Sequence, residues 1–252
     1  MHRMPKRPEP KTFQVLAARL LTPNMRRVTI GGDALASFPA GQAGGYVKLM
    51  LPAGGRAAVR TYTISAQRDD GLDIDFALHG AGGEGGPAVA WSRTARPGDT
   101  VTVGGPGPAK PLPPGADHYL VFGDMTALPA IAVNLAALPA DARGHALIEI
   151  QSEADRQDID HPDGLELHWL VNPQPGHDPH LFEGVARSLG WPEGRVYAWS
   201  ASEFETMRRM RRYLREERGL GPSDLYISSY WKHGLVEDEH RTVKRADAEA
   251  SV

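Results

Sequence analysis

The sequence predicts a two-domain β + α/β protein, an N-terminal six-stranded antiparallel Greek-key barrel followed by an open parallel sheet flanked by helices. Three observations carry that expectation. Residues before position 106 read as short strands throughout, and residues beyond 118 alternate strand with helix. Between them 106–118, PGPAKPLPPGADH, places five prolines in 13 residues. Proline lacks a backbone N–H and fixes φ, so this stretch suits neither a helix nor a central strand and reads as a semi-rigid linker. Domains of 1–113 and 114–252 follow.

The first domain offers strands at 12–20, 25–30, 46–51, 59–64, 72–79 and 100–103, divided by Gly, Pro and Asp turns. Six short strands suit a small closed barrel. The second domain begins with an apolar strand at 119–122 and a helical run at 127–138. Strands at 146–150, 167–171 and 196–199 follow, then a long helix at 203–218 and a last strand at 225–229. Strands alternating with helices imply a parallel sheet of the nucleotide-binding type.

Composition narrows the function. A chain of 252 residues with 41% hydrophobic and 23% charged content is an ordinary soluble globular protein. The longest uncharged apolar stretch, 125–139, is interrupted by Pro129 and Asn134 and falls short of the roughly 20 residues that span a bilayer. The N-terminus, MHRMPKRPEPK, has charge and proline with no apolar run behind it, so neither a membrane contact nor a secretion signal is expected and the expected location is the cytoplasm. Zero cysteines exclude disulfides, thiolate iron–sulfur ligation and cysteine nucleophiles together, so redox chemistry would need a bound organic cofactor. A formal charge of -3 gives no reason to expect a nucleic-acid partner.

A barrel followed by an open α/β domain is the architecture in which flavoproteins hold FAD on one domain and a pyridine nucleotide on the other. Within RTYTIS, alternation puts Arg60, Tyr62 and Ile64 on one face and Thr61, Thr63 and Ser65 on the other. An arginine can hold a pyrophosphate and a tyrosine can lie on an isoalloxazine ring, both from one strand. Taken alone, three fixed residues favour the plainer reading of a surface arginine and a half-buried tyrosine. LHGAGGEGGPAVAW, 78–91, adds a strand end, a glycine-rich loop and a helix start with Pro87 in the first turn. Backbone N–H groups there form an anion site, and His79 can bond to the cofactor or stack on its adenine. The plainer alternative is a glycine loop closing a hairpin.

Five segments in register resemble the siderophore-interacting protein family, FAD-containing ferric-siderophore reductases related to ferredoxin-NADP reductases. They are Arg60-Thr61-Tyr62-Thr63, the segment from His79-Gly80 through Gly86-Pro87-Ala88 to Trp91, Arg96-Pro97-Gly98-Asp99, the segment from Gly123-Asp124 through Thr126 to Ala130, and Tyr230-Trp231-Lys232-His233-Gly234. The match runs from about Phe13 to Gly234. The resemblance implies a cytoplasmic enzyme that passes electrons from NADPH or NADH through FAD to chelated Fe(III), with reduced ferredoxin as the alternative donor. The acceptor would be a ferric siderophore, and the enzyme is expected to be monomeric. The runner-up function is a flavin- or ferredoxin-linked reductase with a non-iron acceptor.

Departures from the family pattern are visible. Ser65 stands where the family often has a basic residue, with Arg68 the nearest replacement, and Val89 stands where a serine is common. Backbone N–H groups of Ala88 and Val89 would serve in its place. In the second domain Asp124 and Thr126 are expected to cap the helix 127–138, leaving its end to a dinucleotide or simply well capped. YAWSASEFE, 197–205, corresponds to the strand end facing the nicotinamide in relatives, which brings Ser202 and Glu203 into the expected site along with Tyr230 and Trp231. Past the strand ending at Ile150, Ser152 and Arg156 could receive a 2′-phosphate that Glu153 and Asp155 would repel.

Two further patterns are read as structural. MRRMRRYLREER carries six arginines, yet Met207, Met210 and Leu214 recur at helical spacing and Glu216 and Glu217 lie among the arginines, so it is an amphipathic helix whose arginines at most touch nucleotide phosphates. His161, His168, His177 and His180 are read as lying in separate loops without ligand spacing, and no metal is expected on the protein. The substrate site is expected at 230–233, an open cleft where Lys232 attracts an anionic chelate and Lys232 or His233 supplies a proton. Arg241, Lys244 and Arg245 are candidate rim cations, against the plainer reading of 241–252 as a solvated tail or helix.

Overall fold

The computed structural model describes residues 9–53, 56–79, 85–235 and 237–250. The chain divides into two compact units, Met1–Lys110 and Pro111–Val252, so the division falls inside the proline-rich stretch.

The first unit is a closed barrel. Its strands are β1 (Lys11–Thr22), β2 (Met25–Gly31), β3 (Tyr46–Ala53), β4 (Arg56–Arg68), β5 (Gly71–Ala77) and β6 (Thr100–Gly107), in the order β1-β2-β5-β4-β3-β6. All the pairings are antiparallel. Period-two alternation fills the interior: Phe13 and Val15, Val28 and Ile30, then Val47, Leu49 and Leu51 are buried while their neighbours face outward. Strand β5 is buried along its whole length. Its outward Asp73 and Asp75 are covered by arginine: Arg27 grips Asp75 through two bonds of 2.7 Å, and Arg68 grips Asp73 at 2.6 and 2.8 Å. Burial raises the proton affinity of Asp73, but bonds from Arg68 and Thr29 and the charge of Arg27 outweigh it and hold the carboxyl below its ordinary range. Strand β6 runs through Pro106 and Gly107 into the expected linker. An irregularity in its pairing with β3, between Tyr46 and Lys48, leaves Pro106 outside the ladder. The α-helix α1 (Gly86–Thr94) and a 3-10 turn, Asp33–Ser37, belong to this unit, and β5 ends before His79, which the sequence had suggested as part of the strand.

The second unit holds five parallel strands, β7 (His118–Gly123), β8 (Arg143–Ile150), β9 (Gly164–Val171), β10 (Val196–Glu203) and β11 (Leu225–Trp231), in the order β11-β10-β7-β8-β9. The chain proceeds from β7 outward to β9 and then returns to the other side of β7, so the topological switch point lies between the C-terminal ends of β7 and β10. Gly144 holds the sheet together locally. It has φ +146°, and a Cβ there would stand 1.9 Å from the Tyr119 carbonyl oxygen.

Helix α2 (Leu128–Ala136) follows β7, while α3 (Leu181–Ser188) and α4 (Phe204–Arg211) bury Phe182, Met210 and neighbours against Phe122, Leu147 and Ala198. The expected helix at 203–218 is divided. Glu203 is its N-cap, and past Arg211 the chain widens into a π-helical turn, Arg212–Glu217. It closes at Gly219, φ +73°, with Leu220 N–H bonded to Leu214 C=O at 2.9 Å. Helix α3 was not expected, and α5 (Glu237–Ala250) meets the helical form of the tail-or-helix reading of 241–252.

Candidate functional site

In the barrel, β4 carries the RTYT segment. The Tyr62 ring lies 4.4 Å from Phe76 of β5, and Phe76 lies 5.7 Å from Trp91 of α1. This row of three rings runs from the strand bearing Arg60, through β5, to the body of α1. Arg60 and Thr63 are half-buried and Thr61 is exposed. Arg60 Nη1 donates to its neighbour's carbonyl, Val59, at 3.0 Å. Helix α1 starts behind Gly85 with no side-chain cap and with Pro87 in its first turn. A Cβ on Gly85 would meet the His79 carbonyl oxygen at 2.6 Å and Val89 Cβ at 2.7 Å, so only glycine lets the chain close this tightly. Ala88 and Val89 bury their side chains in the barrel core, which suits an apolar residue at Val89, and the Val89 carbonyl accepts from Ser92 Oγ at 2.9 Å. His79 is half-buried. Gly80 and the rest of the 80–84 loop lie outside the described residues.

The barrel residues fit an FAD: a cradle that a Cβ would fill, an uncapped helix start for phosphate oxygens, an arginine and an aromatic ring on adjoining elements. Arg68 does not join them. Both arms of its guanidinium are committed to Asp73, so it cannot replace the basic residue the family often places after RTYT.

In the second unit Asp124 lies at the switch point, 4% exposed. Its Oδ1 accepts from Thr126 N at 2.9 Å and Thr126 Oγ1 at 2.5 Å, and its Oδ2 accepts from Glu203 N at 2.9 Å and Trp231 Nε1 at 2.8 Å. Burial raises the proton affinity of this carboxyl in spite of those bonds. The expected capping is corrected here. Neither side chain caps α2, whose N-cap is Ala127. Thr126 turns back onto Asp124, and Ala127 and Leu128 donate instead to the Asp124 carbonyl at 2.9 and 3.1 Å. With Pro129 lacking an N–H and Ala130 bonded to Ala127 C=O, the start of α2 is satisfied internally.

Glu203 caps α4 by accepting from Glu205 N and Thr206 N, and accepts from His233 N at 3.1 Å. Ser202 is fully buried. Tyr230 is half-buried, and burial, with Tyr226 beside it, pushes its phenol well above the ordinary range. Glu149, at the end of β8, accepts from Asn172 at 2.9 Å. Burial and then the charge of Asp124 push its carboxyl up to about 8, a feature sequence reading missed because Glu149 sits in an otherwise apolar strand.

Lys232 and His233 follow β11. Lys232 Nζ bonds to Glu205 Oε1 at 2.6 Å and lies 4.3 Å over the Phe204 ring, so its charge is compensated within the unit. His233 is exposed, with its ring edge-on to His177 at 4.5 Å. Lys244 is no rim cation: its Nζ donates to Ser228 Oγ and Ser229 O, both at 2.7 Å. Arginines between 208 and 218 also have partners within the unit. Arg211 grips Asp247 at 2.6 and 2.9 Å, and Arg218 stacks 5.1 Å over Trp191. At the turn after β8, Ser152 Oγ is taken by Asp155 at 3.0 Å and Arg156 by Glu153 at 2.6 Å.

A closed barrel carrying RTYT and a glycine-backed helix start, followed by a parallel sheet of this order, defines a flavoprotein of the ferredoxin-NADP reductase architecture. The solved ferredoxin NADP+ reductase from Neisseria gonorrhoeae shares that fold at a TM-score of 0.63 with 12% identity, over 88% of this chain and 99% of that one. Closer resemblance identifies the family. The family model described as the siderophore-interacting FAD-binding domain matches residues 14–59 and 52–110, and the one described as siderophore-interacting protein matches 116–234. Ferric vibriobactin reductase ViuB of Vibrio cholerae is 30% identical over 92% of each chain. The crystal structure of the siderophore-interacting protein SipS from Aeromonas hydrophila superposes at a TM-score of 0.82 with 32% identity, covering 95% of this chain and 98% of that one. The chain belongs to the siderophore-interacting protein family.

Proposed function

We propose that this protein is a ferric-siderophore reductase, taking electrons from NADPH or NADH and delivering them to chelated Fe(III). The observation that carries the reading is the barrel site, where one barrel presents Arg60 and Tyr62 on β4 and the glycine-backed start of α1, in a family whose barrel binds FAD. Bound FAD supplies the conversion of a two-electron hydride into the one-electron transfers that iron accepts. Arg60 and the α1 backbone hold the anionic part of the cofactor, Tyr62 offers a ring face to its flavin, and His79, Gly86 and Pro87 shape the turn between them. One hydride reduces two ferric ions and leaves one proton, and oxygen-rich chelators hold the reduced, softer ion less firmly.

In the second unit, Asp124 and Glu203 position the chain ends at the switch point rather than donate to a nucleotide. Ser202, Thr126, Tyr230 and Trp231 line the same strand ends. The substrate reading places His233 and Lys232 at an open surface, with His233 as the exposed proton donor. The reading places the enzyme in the cytoplasm as a monomer, where nicotinamide donors are at hand. The self-paired turn 152–156 supports acceptance of either nucleotide, with less than about tenfold preference, equivalent to about 1.4 kcal/mol. Reduced ferredoxin remains the alternative donor.

Anaerobic mixing tests the donor: both NADPH and NADH are expected to bleach the flavin, and bleaching by neither overturns the assignment. Ferrous-trap assays then compare a ferric siderophore with a quinone. The compensated charge of Lys232 is the observation favouring a non-iron acceptor, and faster quinone than ferric turnover would establish that second reading. Lys232→Ala is expected to raise KM for an anionic ferric chelate severalfold at low salt with flavin content unchanged.

A further inference from the structure

The sheet of the second unit carries a side-chain cluster that the flavin chemistry does not use. His145 of β8 pairs in register with Glu166 of β9, and His168 follows two residues on, so all three share one face of the sheet. They lie toward the N-terminal half of the strands, away from the switch point. His145 Nδ1 and His168 Nε2 face each other at 3.1 Å, and Glu166 Oε2 stands 3.6 Å from each. Sides of 3.1, 3.6 and 3.6 Å enclose a point about 2 Å from every corner, the length of a zinc bond to imidazole nitrogen or carboxylate oxygen.

We propose that His145, Glu166 and His168 form a binding site for a divalent first-row transition-metal ion, held by two imidazole nitrogens and one carboxylate oxygen. A hydrogen-bonded histidine pair accounts for less of the geometry. It explains the 3.1 Å contact but leaves a carboxylate aimed at both rings from 3.6 Å, too far for a hydrogen bond to either. Three donors converging on one point at bonding distance are what a shared cation requires. On the same face, His118 of β7 sits two residues before the register partner of His145, and its Nδ1 is buried without a hydrogen-bond partner among the described residues. A third imidazole nitrogen is thus held beside the cluster.

The nitrogen-rich donor set selects zinc, copper, nickel or ferrous iron over magnesium and calcium. With Glu166 70% exposed, the remaining coordination positions open to solvent and the ion is exchangeable. The proposal does not rest on the reductase reading, since it is tested with the metal alone.

Isothermal titration of Zn2+ into the FAD-loaded protein is expected to show one site with a micromolar Kd, unaffected by millimolar Mg2+. Glu166→Gln, His168→Gln and His145→Gln are each expected to weaken it at least tenfold while flavin content stays normal. Glu166 is exposed enough that its variant keeps the fold whatever happens at the histidines. Co2+ bound in place of zinc is expected to give a visible d–d band that Glu166→Gln alters. Fe2+, offered anaerobically, is expected to bind at the same residues more weakly than Zn2+. No heat of Zn2+ binding at 100 µM protein, or the same affinity in Glu166→Gln and His168→Gln as in the parent chain, overturns the proposal.

Discussion

Arg60 and Glu149 are the two residues whose chemistry departs most from their strands. Arg60→Ala is expected to lose flavin, because a charge-assisted bond to phosphate is worth about 1.5–3 kcal/mol, or roughly ten- to a hundredfold in Kd. Absorbance of the purified variant before and after adding FAD reads this directly, and normal flavin content would remove Arg60 from the site. Glu149 bears on stability. Its folded carboxyl is raised to about 8 by burial and by Asp124, whereas the unfolded group titrates near 4.5. The folded state therefore binds the proton more tightly. Stability from this source is full below the unfolded value and is lost as pH rises through the folded one. The effect is on the order of a few kcal/mol at about 1.4 kcal/mol per unit. Urea midpoints of the parent chain are expected to fall between about pH 5 and 8, and those of Glu149→Gln to stay flatter, with the Asn172 bond kept; matching slopes would sink the assignment.

At the scale of elements, α5 is held by a buried group where the sequence suggested only a solvated tail or helix. His240 is 5% exposed and its Nε2 lies 2.9 Å from Ser229 Oγ on β11. Its ring meets that of Phe204 edge-on, with centroids 6.3 Å apart. Burial, then the nearby charges of Lys244 and Lys232, lower the imidazole to about 4. The sign is opposite to that of Glu149: the contribution is present above the ordinary histidine range and is lost as pH falls toward 4. Hydrogen exchange in α5, corrected for intrinsic rates, is expected to quicken between pH 7 and 5 and to lose that dependence in His240→Gln. Equal protection at both pH values would contradict it. The barrel strands were legible in the sequence because Phe13 and Val15, or Val47, Leu49 and Leu51, alternate with exposed neighbours, a signal local to each strand. The packed side of helix α5 was not, because its sequence is mostly charged and its buried contacts are made by polar residues, His240 and Lys244. Helix α3 was hidden by its eight residues and its central Gly184. The site divides the same way. RTYT and the glycine turn announce themselves by residue type, whereas the tie of Asp124 to Glu203 and Trp231 depends on partners far along the chain.

For the whole molecule, the two compact units carry separate cores. A ligand that binds only the folded barrel stabilises that unit by mass action, about 2.7 kcal/mol at a hundredfold excess over Kd. Scanning calorimetry is expected to resolve two transitions, with FAD raising the Tm of one and leaving the other in place. A single transition that moves as a unit would show the cores to be coupled.

The barrel closes on itself, but the parallel sheet does not. Its ladder ends laterally at β9 and β11, and α5 packs against β11. At β9 the outermost row of backbone donors and acceptors ends the ladder, with Val171 40% exposed at the strand's end and Glu166 projecting from it. An unpaired strand edge is a template for another chain, and charge is a common natural guard against that. Self-association in concentrated or ageing preparations is thus expected to grow from β9 rather than from the barrel, and neutralising Glu166 would take away one of the charges restraining it.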